Sequence, residues 1–147
     1  MRELDEAPLH LSVPNNPTYL RLVRLVVASC AADVNFSYDA IEDLRIVADE
    51  LTNLVMMAAA PETPIRFGIF PGEEFFEFRS SALLATMAPF EQAGNDTVSA
   101  IEHQEFRLDV LATQIVASLV DTYEIENRDG RIEVAFSVRC PIGPSDG

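Results

Sequence analysis

The sequence predicts an α/β fold: a two-layer sandwich whose mixed, mostly antiparallel sheet of about five strands carries three helices on one face. Three observations predict it. The hydrophobic period switches between two and three-to-four along the chain, in the order β-α-α-β-β-loop-α-β-β. Each strand-like stretch has a single apolar face, so the sheet needs cover on one side only. Four of the strands fall into hairpins, which makes antiparallel pairing the economical arrangement.

Leu9, Leu11 and Val13 alternate with His10 and Ser12, the pattern of a half-buried strand that Pro14 and Pro17 then stop. Thr18 is placed to cap a helix whose apolar stripe is Leu22, Val23, Leu25, Val26 and Cys30, ending before Asn35. Ser37 or Asp39 starts a longer helix with the stripe Ile41, Leu44, Ala48, Leu51 and Val55, running to about Ala60 before Pro61 and Pro64. Ile65, Phe67 and Ile69 begin a hairpin that turns at Pro71-Gly72-Glu73-Glu74 and returns over Phe75 to Ser80. Residues 81–104 have no clean period and read as a long connection. Order resumes at Phe106, with Leu108, Leu111, Ile115, Val116 and Leu119 marking a third helix. A strand over Tyr123 to Asn127, the turn Arg128-Asp129-Gly130 and a strand over Ile132 to Val138 complete the set. The expectation is a single domain over 1–147, with an ordered core at 9–139 and a loose tail at 141–147.

Twenty-four acidic residues oppose ten basic ones, all Arg, for a net charge of −14. Such a surface repels phosphate, which excludes nucleic acid and anionic membrane as partners and favours a basic protein. The absence of Lys removes Schiff-base chemistry and the phosphate-binding Lys of a P-loop. Cys30 and Cys140 are the only cysteines and are expected to be free thiols in a reducing compartment. The acidic start Met1-Arg2-Glu3-Leu4-Asp5-Glu6 lacks the apolar core of a signal peptide, and no apolar run approaches the ~18 residues of a membrane span. The expected location is cytoplasmic. His10 and His103 share no ligand spacing with the cysteines, so no metal site is expected from them.

Opposite the core stripe of the second helix lie Asp49, Glu50 and Asn53. Asp49 and Asn53 form an i,i+4 pair and Glu50 and Asn53 an i,i+3 pair, so a carboxylate and a carboxamide can project together. Oxygen ligands of this kind suit Mg²⁺ with a bound phosphate, and a carboxylate can orient a hydroxyl nucleophile. The alternative is a solvated polar face without specific chemistry. Of Phe75, Phe76 and Phe78, one must point away from the others, toward a dimer contact or another element.

The element order, with "DLRIVADELTNLV" on the second helix and "NPTYLRLVRLVV" on the first, resembles the serine-kinase-type anti-sigma factors of bacteria, which have the histidine-kinase and gyrase ATPase fold. The resemblance spans Leu9 to Arg139. It implies a Glu on the long helix that activates the attacking hydroxyl and, four residues on, an Asn that holds Mg²⁺. It also implies an Asp-x-Gly-x-Gly motif reading adenine after the second hairpin strand, and a Gly-rich phosphate cradle before the third helix. An Arg near the start of the first helix contacts partners in that family, and Arg21 matches it. Arg24 is i+3 from Arg21, so the two could clamp carboxylates, or each could pair with a local acid such as Asp39 or Glu42.

The sequence departs from that pattern three times. Glu50 is three residues from Asn53, with Leu54 at the four-residue position, whereas keeping the spacing makes the shorter Asp49 the candidate base. One residue of register turns a helical side chain by about 100°. Arg79-Ser80-Ser81-Ala82-Leu83-Leu84 contains no Asp and no Gly, and residues 100–107 contain no Gly but add Glu102 and Glu105. The resemblance with these departures implies a transcription regulator of the stress-response kind. It would sequester a sigma factor and be released by an anti-anti-sigma protein of the STAS type, with a homodimer among the expected assemblies. No cofactor is expected. Two alternatives stand beside it: a serine protein kinase using Mg-ATP, with Glu50 or Asp49 as base and Asn53 on the metal, and a sensor or adaptor reusing the scaffold.

Overall fold

The computed structural model describes residues 3–85 and 109–141. Its strands are β1 (Leu9–Val13), β2 (Ile65–Pro71), β3 (Phe75–Leu83), β4 (Thr122–Arg128) and β5 (Arg131–Arg139), and its helices α1 (Leu20–Asp33), α2 (Tyr38–Ala58) and α3 (Val110–Leu119). The sheet order is β1-β2-β3-β5-β4. Every pairing among the described residues is antiparallel, so the described sheet is antiparallel throughout rather than mixed.

Strand alternation divides the sheet into two faces. Ile69 lies opposite Phe78 and Phe78 opposite Phe136, so one row of large apolar side chains crosses β2, β3 and β5 under the helices. Phe78 and Phe136 stack at 5.2 Å between ring centroids, and Phe36, just after α1, meets Phe76 edge-on at 5.9 Å. From above, α2 supplies Leu44, Val47, Ala48, Leu51 and Val55, none more than 1% exposed. The stripe expected for α2 therefore faces the core. That of α1 is rotated: Val23, Val27, Cys30 and Ala31 are buried, while Leu22 and Leu25 are 40% and 57% exposed. On α3, Ala112 and Val116 are buried while Leu111 is exposed.

Local chemistry sets the ends. Asn16, not Thr18, does the capping: its side chain accepts from the Thr18 N–H and opens a 3-10 turn (Pro17–Tyr19) that leads into α1 at Leu20. Asn35 takes the left-handed conformation (φ 69°) after α1, which Asn tolerates. Ser37 caps α2 through the Ala40 N–H, and α2 ends at Ala58, two residues short of expectation. Asp109 caps α3 through the Ala112 N–H at 2.7 Å, so α3 begins at Val110 and the expected start at Phe106 lies outside the described residues. Asp129 and Gly130, both with positive φ, form the two-residue turn between β4 and β5.

The largest difference concerns residues 81–83. They are strand rather than connection, paired to β5 as far as Leu83 opposite Arg131, and Leu84 bridges to Ala59 beyond α2. Their side chains explain this: Ala82 is buried among the core apolar groups, and Ser81 Oγ accepts from Arg131 Nε at 2.9 Å. The remainder of the expected connection, and the tail beyond Pro141, lie outside the described residues. Cys30 and Cys140 are buried free thiols, as expected. No described helix is long and apolar enough to cross a membrane, and no described cluster of three or more His, Cys, Asp or Glu side chains is placed to hold a metal.

Candidate functional site on the second helix

Because α2 buries one face on the sheet, its other polar positions are presented toward α1 or solvent. Asp49 and Glu50 are half-buried and Asn53 is exposed. Asp49 Oδ2 accepts from Arg24 Nη1 of α1 at 2.7 Å, a pair whose side chains are 33% and 32% exposed. Asp49 Oδ1 is buried and has no hydrogen-bond partner among the described residues. Asn53 Nδ2 reaches along the helix to Met57 Sδ at 3.7 Å, the direction away from Asp49. The acid that keeps the four-residue spacing is thus engaged with α1, and the amide leans toward Met57.

Of the two arginines on α1, Arg21 is exposed and Arg24 is committed to Asp49. Neither Asp39 nor Glu42 is the partner of Arg24; Glu42 instead accepts from Arg45 at 2.7 Å. Sequence spacing could not reveal the Arg24–Asp49 pair, because it spans two helices. Only the rotation of α1, which puts Val23 and Val27 inward, brings Arg24 beside α2.

The open sheet face holds a second polar constellation. Arg79 Nε donates to Glu77 at 2.8 Å and its Nη1 to Glu124 at 3.2 Å, with the Arg79 side chain only 15% exposed. Ala135 lies between Arg79 and Glu124 in the strand register, and its small side chain lets the guanidinium cross β5. Burial alone would lower the Arg79 pKa, but the two carboxylates outweigh it and hold the value above the ordinary one. The i,i+2 spacing of Glu77 and Arg79 carries the signal for half of this network. Phe75 is the phenylalanine that points away from the core, and it lies under the Arg139 guanidinium at 5.3 Å.

No family model matches the chain. Serine-protein kinase RsbW of Bacillus subtilis (strain 168) is 37% identical over 67 residues, 42% of each chain. The protein of the same name from Bacillus velezensis is 36% identical over the same share. The chain thus spans less than half the length of these two relatives. Serine-protein kinase RsbW of Bacillus cereus (strain G9842) is 25% identical over 133 residues, which is 83% of this chain and 79% of that one. With the helix motifs and the helix-on-sheet architecture on which they sit, these matches support the chain's resemblance to the serine-kinase-type anti-sigma factors.

Proposed function

We propose that the protein is an anti-sigma factor that sequesters a sigma factor by direct binding and is released by an anti-anti-sigma protein, without using Mg-ATP. The observation that carries this reading is the regular pairing of β3 through residues 79–83, where the family resemblance calls for a glycine-bearing adenine loop. A paired strand with buried Ser80 and Ala82 offers no permissive backbone there. The α2 residues support the same reading. Mg²⁺ needs oxygen ligands that converge, whereas Asp49 is drawn to Arg24 and Asn53 toward Met57. The donor set therefore fits Mg-ATP poorly, and a net charge of −14 opposes a polyanion further. The same charge attracts a basic DNA-reading partner. Arg21, exposed on α1, is the residue assigned to the partner contact, while Arg24 supports α1 from within.

Two measurements test the reading. Calorimetric titration with Mg-ATP should give no heat at millimolar nucleotide, and micromolar binding would overturn the nucleotide-free mechanism. Capture of the cell's sigma factors on the immobilised full chain should recover one of them, and Arg21→Glu should weaken that capture at least about tenfold. Wild-type capture by Arg21→Glu would remove α1 from the interface. A second reading, a serine protein kinase with Glu50 as base, is favoured by the relatives, which are named as serine-protein kinases. It predicts labelling of an anti-anti-sigma serine by radioactive ATP that is lost in Asn53→Ala.

A further inference from the structure

A cavity of about 210 Å³ lies between α1 and the β1 edge of the sheet. Its floor is Phe67, Phe78 and Val23, each no more than 2% exposed, and its rim is Leu9, Leu11 and Val26. The space is partly open to solvent, with Leu9 at its rim 43% exposed, and its apolar walls lack the dispersion contacts that packed interiors make. Two features keep it open. The end position of β1 in the sheet leaves its outer side without a neighbouring strand among the described residues. The rotation of α1 places Val26 at the rim, half-buried, and turns Leu22 and Leu25 outward.

We infer that this cavity is a binding site for a small, neutral, apolar molecule of about one substituted ring. Volume sets the size, since an apolar cavity of ~150 Å³ stays dry and holds benzene. The lining sets the chemistry. His10, the only polar residue among the described residues of the wall, pairs with Gly68, so strand alternation sends its imidazole to the other sheet face. That leaves no side-chain charge in the wall to meet an ion, and an anion would also work against the net charge of −14. The inference is independent of the proposed partner and of nucleotide binding.

The test uses the full chain with toluene as probe and benzoate as its charged counterpart, read by methyl spectra and thermal melting. Toluene should shift the Leu9, Leu11, Val23 and Val26 methyls saturably and raise the melting temperature by about 3 °C at ten times Kd. Benzoate should do neither, and Val26→Phe, which fills the space, should lose the response. Should Val26→Phe fail to fold, Leu11→Phe, which narrows the rim from a half-buried position, should weaken binding at least about threefold. Unmoved methyls at saturating toluene, a benzoate response equal to that of toluene, shifts centred on the exposed Leu22 and Leu25, or an unaltered response in the folded variant would each overturn the inference.

Discussion

Two of the arginines that hold carboxylates in this fold, Arg79 and Arg24, do so in opposite ways. Arg79 lies on the open sheet face, 15% exposed, with Glu77 and Glu124 each occupying part of its fork. Arg24 bridges α1 to α2 through Asp49 alone, with both side chains about a third exposed, and leaves Asp49 Oδ1 buried and without a partner among the described residues. A satisfied network of this kind fixes strand register. A half-satisfied pair stabilises little and leaves a carboxylate oxygen in a position that local packing does not explain. The difference separates polarity that ties strands together, on the sheet, from polarity that leaves a carboxylate oxygen unmatched, on the helices.

The comparison is sharpest if Arg79 is removed. Arg79→Met leaves Glu77 and Glu124 partly desolvated without their shared partner, and should cost about 2 kcal/mol by urea denaturation. A loss no greater than that of an exposed surface substitution would mean that the sheet-face network is as loosely held as the helix pair. Next in size is Thr52, on α2 beneath the site. Its hydroxyl is fully buried with no partner among the described residues, as is that of Ser80 on β3. Thr52→Val keeps the shape and removes the stranded hydroxyl, so it should stabilise the protein by about 1 kcal/mol. Destabilisation by the same substitution would show that the hydroxyl is bonded in solution. Asp49→Asn should move stability by no more than about 0.5 kcal/mol, because a pair exposed to this degree is largely screened. A cost above that of Arg79→Met would reverse the ranking of the two arginines.

Much of the fold was legible because period and turn chemistry agree: the α2 stripe, the Ser37 cap and the Asp129-Gly130 turn are local signals that tertiary packing reinforces. The rotation of α1 was not legible. Leu22, Val23, Leu25 and Val26 give a wide apolar arc, and only the shape of the sheet beneath decides which part is buried. The same rotation determines the Arg24 partner and the open cavity at β1, so both escaped sequence reasoning for one reason. Residues 81–83 were misread for a different one. Ser81 and Ala82 carry little strand propensity, and the stretch is strand because β5 pairs with it through Leu83. For the site, the sequence supplied the candidates Asp49, Glu50 and Asn53 but not their directions, since hydrogen bonds to Arg24 and Met57 set those.

The smallest expected effect concerns Cys30, which lies on the same inward face of α1 as Val23 and Val27 and so reports whether that rotation holds in solution. Burial, and then the negative charge of Asp33, push its thiol above the ordinary value of 9.0. Because the folded state disfavours the thiolate, this contribution to stability is complete at neutral pH and declines as pH rises past 9.0 toward the folded-state value; acidification from pH 8 leaves it unchanged. The Cys140 thiol, also pushed up by burial, donates to the Gly72 carbonyl at 3.2 Å and acts in the same direction. The urea midpoint of the wild type should therefore fall more between pH 8 and 10 than that of Cys30→Ala. A thiol-specific reagent at pH 8 should react with Cys30 far more slowly in the folded chain than in urea. Equal slopes in the two proteins, with rapid labelling of the native chain, would place Cys30 at the surface. Val23 and Val27 would then turn outward with it, and the arrangement that brings Arg24 to Asp49 would be lost.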